Sequence, residues 1–107
     1  MVTSWSNEQL DELIEQATVD CYDEEECITG FFTMLEDELE LPFRTAVLGV
    51  AVEVADIGLT GNSRIVAICV RDQEQQRIAL LDLPLPSDLT GAEWVEAYRR
   101  WSGWRAQ

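Results

Sequence analysis

The sequence contains no histidine and no lysine, and its seven basic residues are all arginines. Without histidine, the chain has no Ser-His or Cys-His nucleophile pair, no imidazole ligand for zinc and no ordinary general base that titrates near neutral pH. The few bases face 21 acids, which gives a formal net charge of -14. This charge argues against binding to a nucleic-acid backbone or to an anionic membrane surface, because both attract Lys and Arg.

Long apolar runs and paired cysteines are also scarce. The longest apolar run, residues 46–52, is far shorter than a membrane span of roughly 20 residues, and the first residues lack the pattern of a signal peptide. Three cysteines, an odd number at irregular spacing, favour a reducing compartment over a disulfide framework. The 107 residues, 47% of them hydrophobic, suffice for one domain with a modest core. We expect a single domain over residues 1–107, cytoplasmic and monomeric.

The negative charge lies almost entirely in the N-terminal part of the chain. Residues 1–43 hold 13 acids and no base, whereas residues 44–107 hold 8 acids and all seven arginines. The two parts therefore carry net charges of -13 and -1. Repulsion on this scale opposes folding, so we expect something to offset it.

Hydrophobic periodicity and capping residues predict three helices. The first follows the N-cap Ser6. The second begins after Asp23, with Glu26 as its reciprocal capping partner. The third covers about residues 91–102 and can end at Gly103. Its aromatic residues at helical spacing predict a docking face: Trp94, Tyr98 and Trp101.

Between the second and third helices the pattern changes to that of strands. Four strands are predicted, at residues 44–48, 50–57, 64–71 and 76–83, with Gly49 as a bend or bulge. Short connections favour antiparallel pairing. The predicted fold class is α+β, with a curled, mainly antiparallel sheet of four to five strands packed with three helices. A small open barrel is the alternative form of this sheet.

The first acidic cluster, which we call the N-terminal cluster, consists of Asp20 and residues 23–26. Acids in a first helical turn complement the macrodipole and satisfy unpaired amides. Asp23 and Glu26 therefore have an ordinary structural explanation. The cluster nevertheless holds more acids than capping requires.

The second acidic cluster, which we call the C-terminal cluster, consists of residues 36–38 and Glu40 at the end of the second predicted helix. The macrodipole favours cations at this end, and like charges repel one another. A plain solvated face is one explanation, but a bound cation explains the position better. Oxygen donors without histidine suit calcium or magnesium, and crowded carboxylates favour calcium.

The candidate calcium ligands are seven carboxylates from the two clusters: Asp20, Asp23, Glu24, Glu26, Glu36, Asp37 and Glu38. The cluster centres are about 12 residues apart, or roughly 18 Å on a straight helix, so we expect two sites. An EF-hand does not fit. In a loop that starts at Asp20, Glu25 falls at the glycine position and Phe31 at the bidentate glutamate position.

Four segments resemble, in order, the pattern of the calcium-binding protein family typified by cyanobacterial CcbP. They are DCYDEEE at 20–26, GFF at 30–32, LED at 35–37 and LPF at 41–43. The resemblance covers about residues 18–83 and implies a small acidic protein that binds two calcium ions without EF-hands. Leu41 stands where the family more usually has an aromatic residue, and Phe31 and Phe32 stand where Trp and Tyr are common.

The sequence therefore predicts a non-enzymatic calcium-binding protein that acts as a buffer or a sensor. The alternative is an acidic interaction module that docks a basic protein or imitates a nucleic-acid backbone. A carboxylate-pair hydrolase has less support, because nothing in the sequence marks a substrate cleft.

Tyr22 is expected either to lend an oxygen to a cation or to pack against the sheet. For Arg99, Arg100 and Arg105 the alternatives are pairing with the acidic region, a partner contact or simple solubility.

Overall fold

The computed structural model describes residues 5–61, 64–86 and 88–105. Two helices come first and a third ends the described chain: α1 (Asn7–Ala17), α2 (Glu24–Glu38) and α3 (Ala92–Arg105). Between α2 and α3 lie four strands and then a short 3-10 turn: β1 (Phe43–Val47), β2 (Val50–Leu59), β3 (Ile65–Arg71), β4 (Glu74–Ala79) and Leu80–Asp82.

The four strands form one antiparallel sheet in the order β1-β2-β3-β4. The first and last strands are its edges, so the described sheet is open and the barrel alternative is not realised. The α+β class with three helices is confirmed, and the sheet has four strands rather than five.

The N-terminus of α1 follows directly from its capping residues. The amide of Gln9 donates to the Ser6 hydroxyl oxygen at 3.1 Å, and the amide of Ser6 donates to Oε1 of Gln9 at 2.8 Å. Two otherwise unpaired amides are thereby satisfied by two side chains. The predicted start of the first helix is confirmed.

The core lies between the helices and one face of the sheet. Phe43 of β1, Val54 of β2 and Cys69 of β3 are buried and stand opposite one another in the register. Phe31 of α2 is fully buried, and its ring centroid lies 5.4 Å from those of both Tyr98 and Trp101. The predicted docking face of α3 therefore packs into the core, against α2.

Two local predictions are wrong, and one pair of alternatives is decided by the structure. The helix α3 continues through Gly103 to Arg105, since a glycine inside a helix costs only about 1 kcal/mol. The strand predicted at residues 76–83 spans Glu74–Ala79 and gives way to the 3-10 turn. For Gly49 the bend is confirmed and the bulge is not: the residue lies in the turn between β1 and β2 with φ +79°, and the bulge of β2 lies between Val54 and Asp56.

Membrane insertion by a helix finds no support in the described ranges, where no helix combines the length and the apolar character of a membrane span.

The β1–β2 turn carries an unfavourable residue. Leu48 has φ +53° and is 99% exposed, and Gly49 follows with φ +79°. Two positive φ values suit a type I′ turn, in which Asn-Gly is preferred. We expect Leu48→Asn to raise the free energy of unfolding by about 1 kcal/mol, because asparagine tolerates this region better than leucine does. Urea unfolding of both proteins measures the difference.

Asp72 provides the control, because it occupies the β3–β4 turn with φ +55°. Asp72→Asn exchanges two residues that both tolerate positive φ, so its stability should stay close to that of the parent protein. A Leu48→Asn variant that is no more stable than the parent would contradict the assignment of strain to this turn.

Candidate metal centre

Both acidic clusters lie on α2, one at each end. Asp23 is the N-cap residue, and the 15-residue helix ends at Glu38. A helix of this length extends over about 22 Å, so one ion cannot contact both ends. The first turn of α2 contains three acids, and the last turn contains no base to compensate its acids.

The N-terminal cluster is partly occupied by hydrogen bonds to the backbone. Oδ1 of Asp23 accepts the amide of Glu26 at 2.8 Å, which confirms the predicted N-cap. The Glu26 carboxylate does not return to the Asp23 amide as predicted. Its Oε2 instead accepts the amide of Tyr22 at 3.3 Å. Within the described ranges, each carboxylate therefore has a second oxygen that accepts no hydrogen bond from a backbone amide.

Three carboxylates of the N-terminal cluster line one shallow depression beside α2. The residues around it are Cys21, Asp23, Glu25, Glu26, Thr29, Gly30 and Thr33. The hydroxyls of Thr29 and Thr33 donate to the carbonyl oxygens of Glu25 and Thr29, both at 3.0 Å. Their oxygen lone pairs remain available, so the depression offers charged and neutral oxygen donors together.

Only two of the four predicted N-terminal ligands line the depression. Asp23 and Glu26 share the depression, together with Glu25, which the sequence-based prediction omitted. Glu25 precedes Thr29 by four residues and Thr33 by eight, and this spacing on one helix stripe could have identified it. Asp20 lies in the loop before the helix, is exposed and has φ +63°.

Glu24 lies on the other side of α2, towards α3. Burial raises the pKa of Tyr98, the Glu24 carboxylate raises it further, and Arg64 opposes the increase. Tyr98 also hydrogen-bonds to the backbone of Ile65 and to the side chain of Ser102. Glu24 therefore lies within electrostatic range of Tyr98 in α3 and is not among the residues that line the depression.

The C-terminal cluster surrounds the end of α2 where the chain turns towards β1. Glu36, Asp37 and Glu38 are all exposed. Consecutive helical residues point in directions about 100° apart, so the three carboxylates diverge while the helix is intact. The amide of Glu40 donates to the carbonyl oxygen of Thr90 at 2.9 Å instead of extending the helix.

The end of α2 also touches the segment that leads into α3. Gly91 has φ +90°, and a Cβ on it would collide with the carbonyl oxygen of Glu38 and lie 2.5 Å from Cα of Leu39. Only glycine can approach the α2 backbone so closely in this conformation. The end of α2 that carries the C-terminal cluster therefore packs directly against the residue that precedes α3.

A preformed cage is absent from the described part of the chain: there, no three Asp, Glu or Cys side chains are arranged to hold a metal ion. The carboxylates of both clusters lie on exposed residues. Exposed glutamates and aspartates can change rotamer at little steric cost. The donor set fits a hard divalent cation in chemistry, and binding requires the side chains to gather around it.

Two arginines of α3 form ion pairs outside the clusters. Nε of Arg100 lies 2.8 Å from Oδ1 of Asp11, which joins α3 to α1, and Arg99 lies 3.5 Å from Glu96. Pairing with the acidic N-terminal region is therefore confirmed for Arg100. Neither Asp11 nor Glu96 belongs to a cluster.

Tyr22 is 91% exposed, so the expectation that it packs against the sheet is wrong.

The fold is similar to that of Anabaena CcbP in its crystal structure. The TM-score is 0.70, and the match covers 100% of this chain and 97% of that chain at 22% sequence identity. The chain has the CcbP fold. The sequence itself matches no family model and no curated protein.

The match to CcbP confirms the predicted resemblance at the level of the fold. It extends beyond residues 18–83, where the sequence pattern suggested it, because α1 and α3 are included in the full coverage. At this identity the similarity concerns the path of the backbone.

Proposed function

We propose that the chain binds calcium through the two carboxylate clusters of α2 and acts as a calcium buffer or sensor. The observation that carries the proposal is the C-terminal cluster, in which four acids crowd a helix end that has no base in its last turn. The family that the sequence resembles binds calcium, and the fold similarity to CcbP supports applying that comparison here. Non-enzymatic activity, a monomeric state and a cytoplasmic location stay predictions.

The end of α2 favours a cation for two independent reasons. The final carbonyl groups of a helix carry partial negative charge and lack helical partners. Here the amide of Glu40 donates to the carbonyl oxygen of Thr90, and Pro42 has no N–H group, so neither residue donates to a carbonyl oxygen at the end of α2. Glu36, Asp37 and Glu38 add full negative charges at this end, and their carboxylates, which diverge on the intact helix, would have to turn towards the carbonyl oxygens to share an ion. A calcium ion would combine carboxylate and carbonyl ligands, which is the mixture it accepts.

The N-terminal cluster would use the depression beside α2. Asp23 and Glu26 each have an oxygen beyond the one that accepts a backbone amide, and Glu25 lies with them. The hydroxyl oxygens of Thr29 and Thr33 add neutral donors. Asp20 and Glu24 remain ligand candidates only if the loop and the start of the helix rearrange around the ion.

Gathering exposed side chains has a cost that limits affinity. Ordering one glutamate side chain costs up to about 1.5–2 kcal/mol in rotamer entropy, and several must be ordered at each site. The ion offsets this cost by neutralising repulsion within a segment of net charge -13. We expect affinities suited to reversible exchange of calcium, as a buffer or a sensor requires.

Calorimetric titration of calcium into the chelator-treated protein tests the C-terminal site. The parent chain should bind two ions, and the triple variant Glu36→Gln/Asp37→Asn/Glu38→Gln should bind one. The control triple, Glu53→Gln/Asp72→Asn/Glu74→Gln, removes the same number of charges from the sheet and its β3–β4 turn and should still bind two. The assignment would be refuted if calcium produced no binding heat with the parent chain, or if the two triple variants lost calcium binding equally.

The same titration can also separate the N-terminal candidates. Asp23 is kept, because its removal would weaken the helix cap by about 1 kcal/mol. Glu25→Gln/Glu26→Gln should remove the N-terminal site, whereas Asp20→Asn/Glu24→Gln should leave its stoichiometry unchanged. The reverse result would mean that the loop and the first turn rearrange around the ion.

A further inference from the structure

The outer face of the sheet, which is turned away from the three helices, carries an apolar strip on β3. The residues of β3 alternate between buried positions, which belong to the core, and partly buried positions on the outer face. The outer positions form the apolar strip: Val66, Ile68 and Val70. A Cβ built on Gly58 of β2 would lie 3.7 Å from Cδ1 of Ile68 and 3.8 Å from Cγ2 of Val66. Because Gly58 has no side chain, the strip is open on the side of β2.

Charged residues of opposite sign flank this strip. Residues directly opposite one another on neighbouring strands share a face of the sheet. Asp56 of β2 stands opposite Ile68, and Ile68 stands opposite Arg77 of β4. These three residues therefore form one row across the outer face, with a carboxylate at one end, an isoleucine in the middle and a guanidinium group at the other end.

The two charges of this row do not pair with each other. Oδ1 of Asp56 accepts the amide of Ile57 at 2.8 Å, and neither Asp56 nor Arg77 forms an ion pair within the described part of the chain. The two residues lie two strands apart, roughly 10 Å, with Ile68 between them. An occupant of this face must therefore present a base to Asp56, an acid to Arg77 and an apolar group between the two.

We propose that the outer face of the sheet binds a second copy of this chain and forms a symmetric dimer. A two-fold axis parallel to β3 reverses the order of the strands, so that Asp56 of one copy faces the partner's Arg77 and Ile68 packs on the partner's Ile68. The row is therefore complementary to itself. An axis perpendicular to the strands would place Asp56 against the partner's Asp56, so the charges select the parallel axis. The two sheets would pack face to face with their strands nearly aligned.

The distribution of charge makes the sheet the side on which two copies can meet. Two chains of net charge -14 repel each other, but residues 44–79 hold four acids and four arginines. The acidic clusters lie on α2, behind the sheet, so both sheets would separate the clusters of the two copies by more than the Debye length of about 8 Å. The face is small, so the dimer is weak and reversible. It would replace the predicted monomer at high protein concentration.

Sedimentation equilibrium of the full chain, in chelator and at an ionic strength of about 0.15 M, measures the dimer Kd. Arg77→Asp should raise Kd at least about tenfold, because carboxylates would then face carboxylates across the interface. Arg71→Asp changes the net charge equally, but Arg71 has the opposite parity on β3, and Kd should change by no more than about twofold. Equal effects of the two variants, or a parent chain that stays monomeric at about 1 mM, would overturn the proposal.

A mixing experiment tests the symmetry of the contact. Asp56→Arg alone should also dissociate the dimer, because guanidinium groups would face each other. An equimolar mixture of Asp56→Arg and Arg77→Asp should dimerise again, since each variant then meets the opposite charge on its partner. A mixture of folded variants that stays monomeric would contradict the proposed axis and overturn the proposal. Circular dichroism verifies that each variant is folded; if Asp56→Arg does not fold, the comparison of Arg77→Asp with Arg71→Asp decides alone.

The dimer does not rest on the proposed function. None of the residues in the row is a candidate calcium ligand, and the sedimentation experiment is carried out in chelator. A dimer that responds to Arg77→Asp in a chain that binds no calcium would refute the proposed function alone. Calcium binding by a chain that stays monomeric at every concentration would overturn the dimer alone.

Discussion

The Gly91→Ala variant is expected to lose about 3 kcal/mol of folding free energy. Gly91 has φ +90°, which costs an L-residue about 1–2 kcal/mol. The new Cβ would also collide with the carbonyl oxygen of Glu38 and lie 2.5 Å from Cα of Leu39. Both obstacles are backbone atoms, so neither can move aside by a rotamer change. Urea unfolding followed by circular dichroism measures the loss.

Gly103 provides the matched control for the same substitution. It lies inside α3, and a Cβ there would meet nothing within 4 Å. Gly103→Ala should stabilise the protein by about 1 kcal/mol, because alanine is the better helix former. A Gly91→Ala variant as stable as the parent would mean that the end of α2 does not approach the start of α3 as closely as described.

Much of the fold could be predicted from local signals. Ser6 and Gln9 form the capping box that their spacing indicates, and Asp23 caps α2. The bulge of β2 was missed, although the burial pattern contains it. Val54 and Ile57 are both buried but three residues apart. A strand alternates every two residues, so an odd spacing requires one extra residue between them.

The two ends of α2 could be predicted as the acidic regions, but the direction of each carboxylate could not. Glu24 is the clearest example, because it precedes Ile28 by four residues and Phe31 by seven. It continues the buried stripe of the helix and so faces α3 rather than the depression. The position of Asp20 depends on a loop conformation with φ +63° that periodicity does not encode.

Calcium is expected to raise the melting temperature markedly. A ligand that binds only the folded state at 100 times its Kd adds about 2.7 kcal/mol per site. At about 4 °C per kcal/mol, one site corresponds to roughly 10 °C for a chain of this size. The physical source is the relief of repulsion among the acids of α2, whose last turn has no base. Scanning calorimetry in millimolar calcium and in chelator measures the shift.

Specific binding and general screening give different results in this experiment. Sodium chloride at matched ionic strength screens exposed charges without entering a site, so it should give a smaller rise than calcium. The triple variant Glu36→Gln/Asp37→Asn/Glu38→Gln should melt higher than the parent protein in chelator, because its helix end is no longer crowded with charge. It should then gain less from calcium than the parent does. Equal rises in sodium chloride and in calcium would attribute the whole effect to screening and contradict a site at the end of α2.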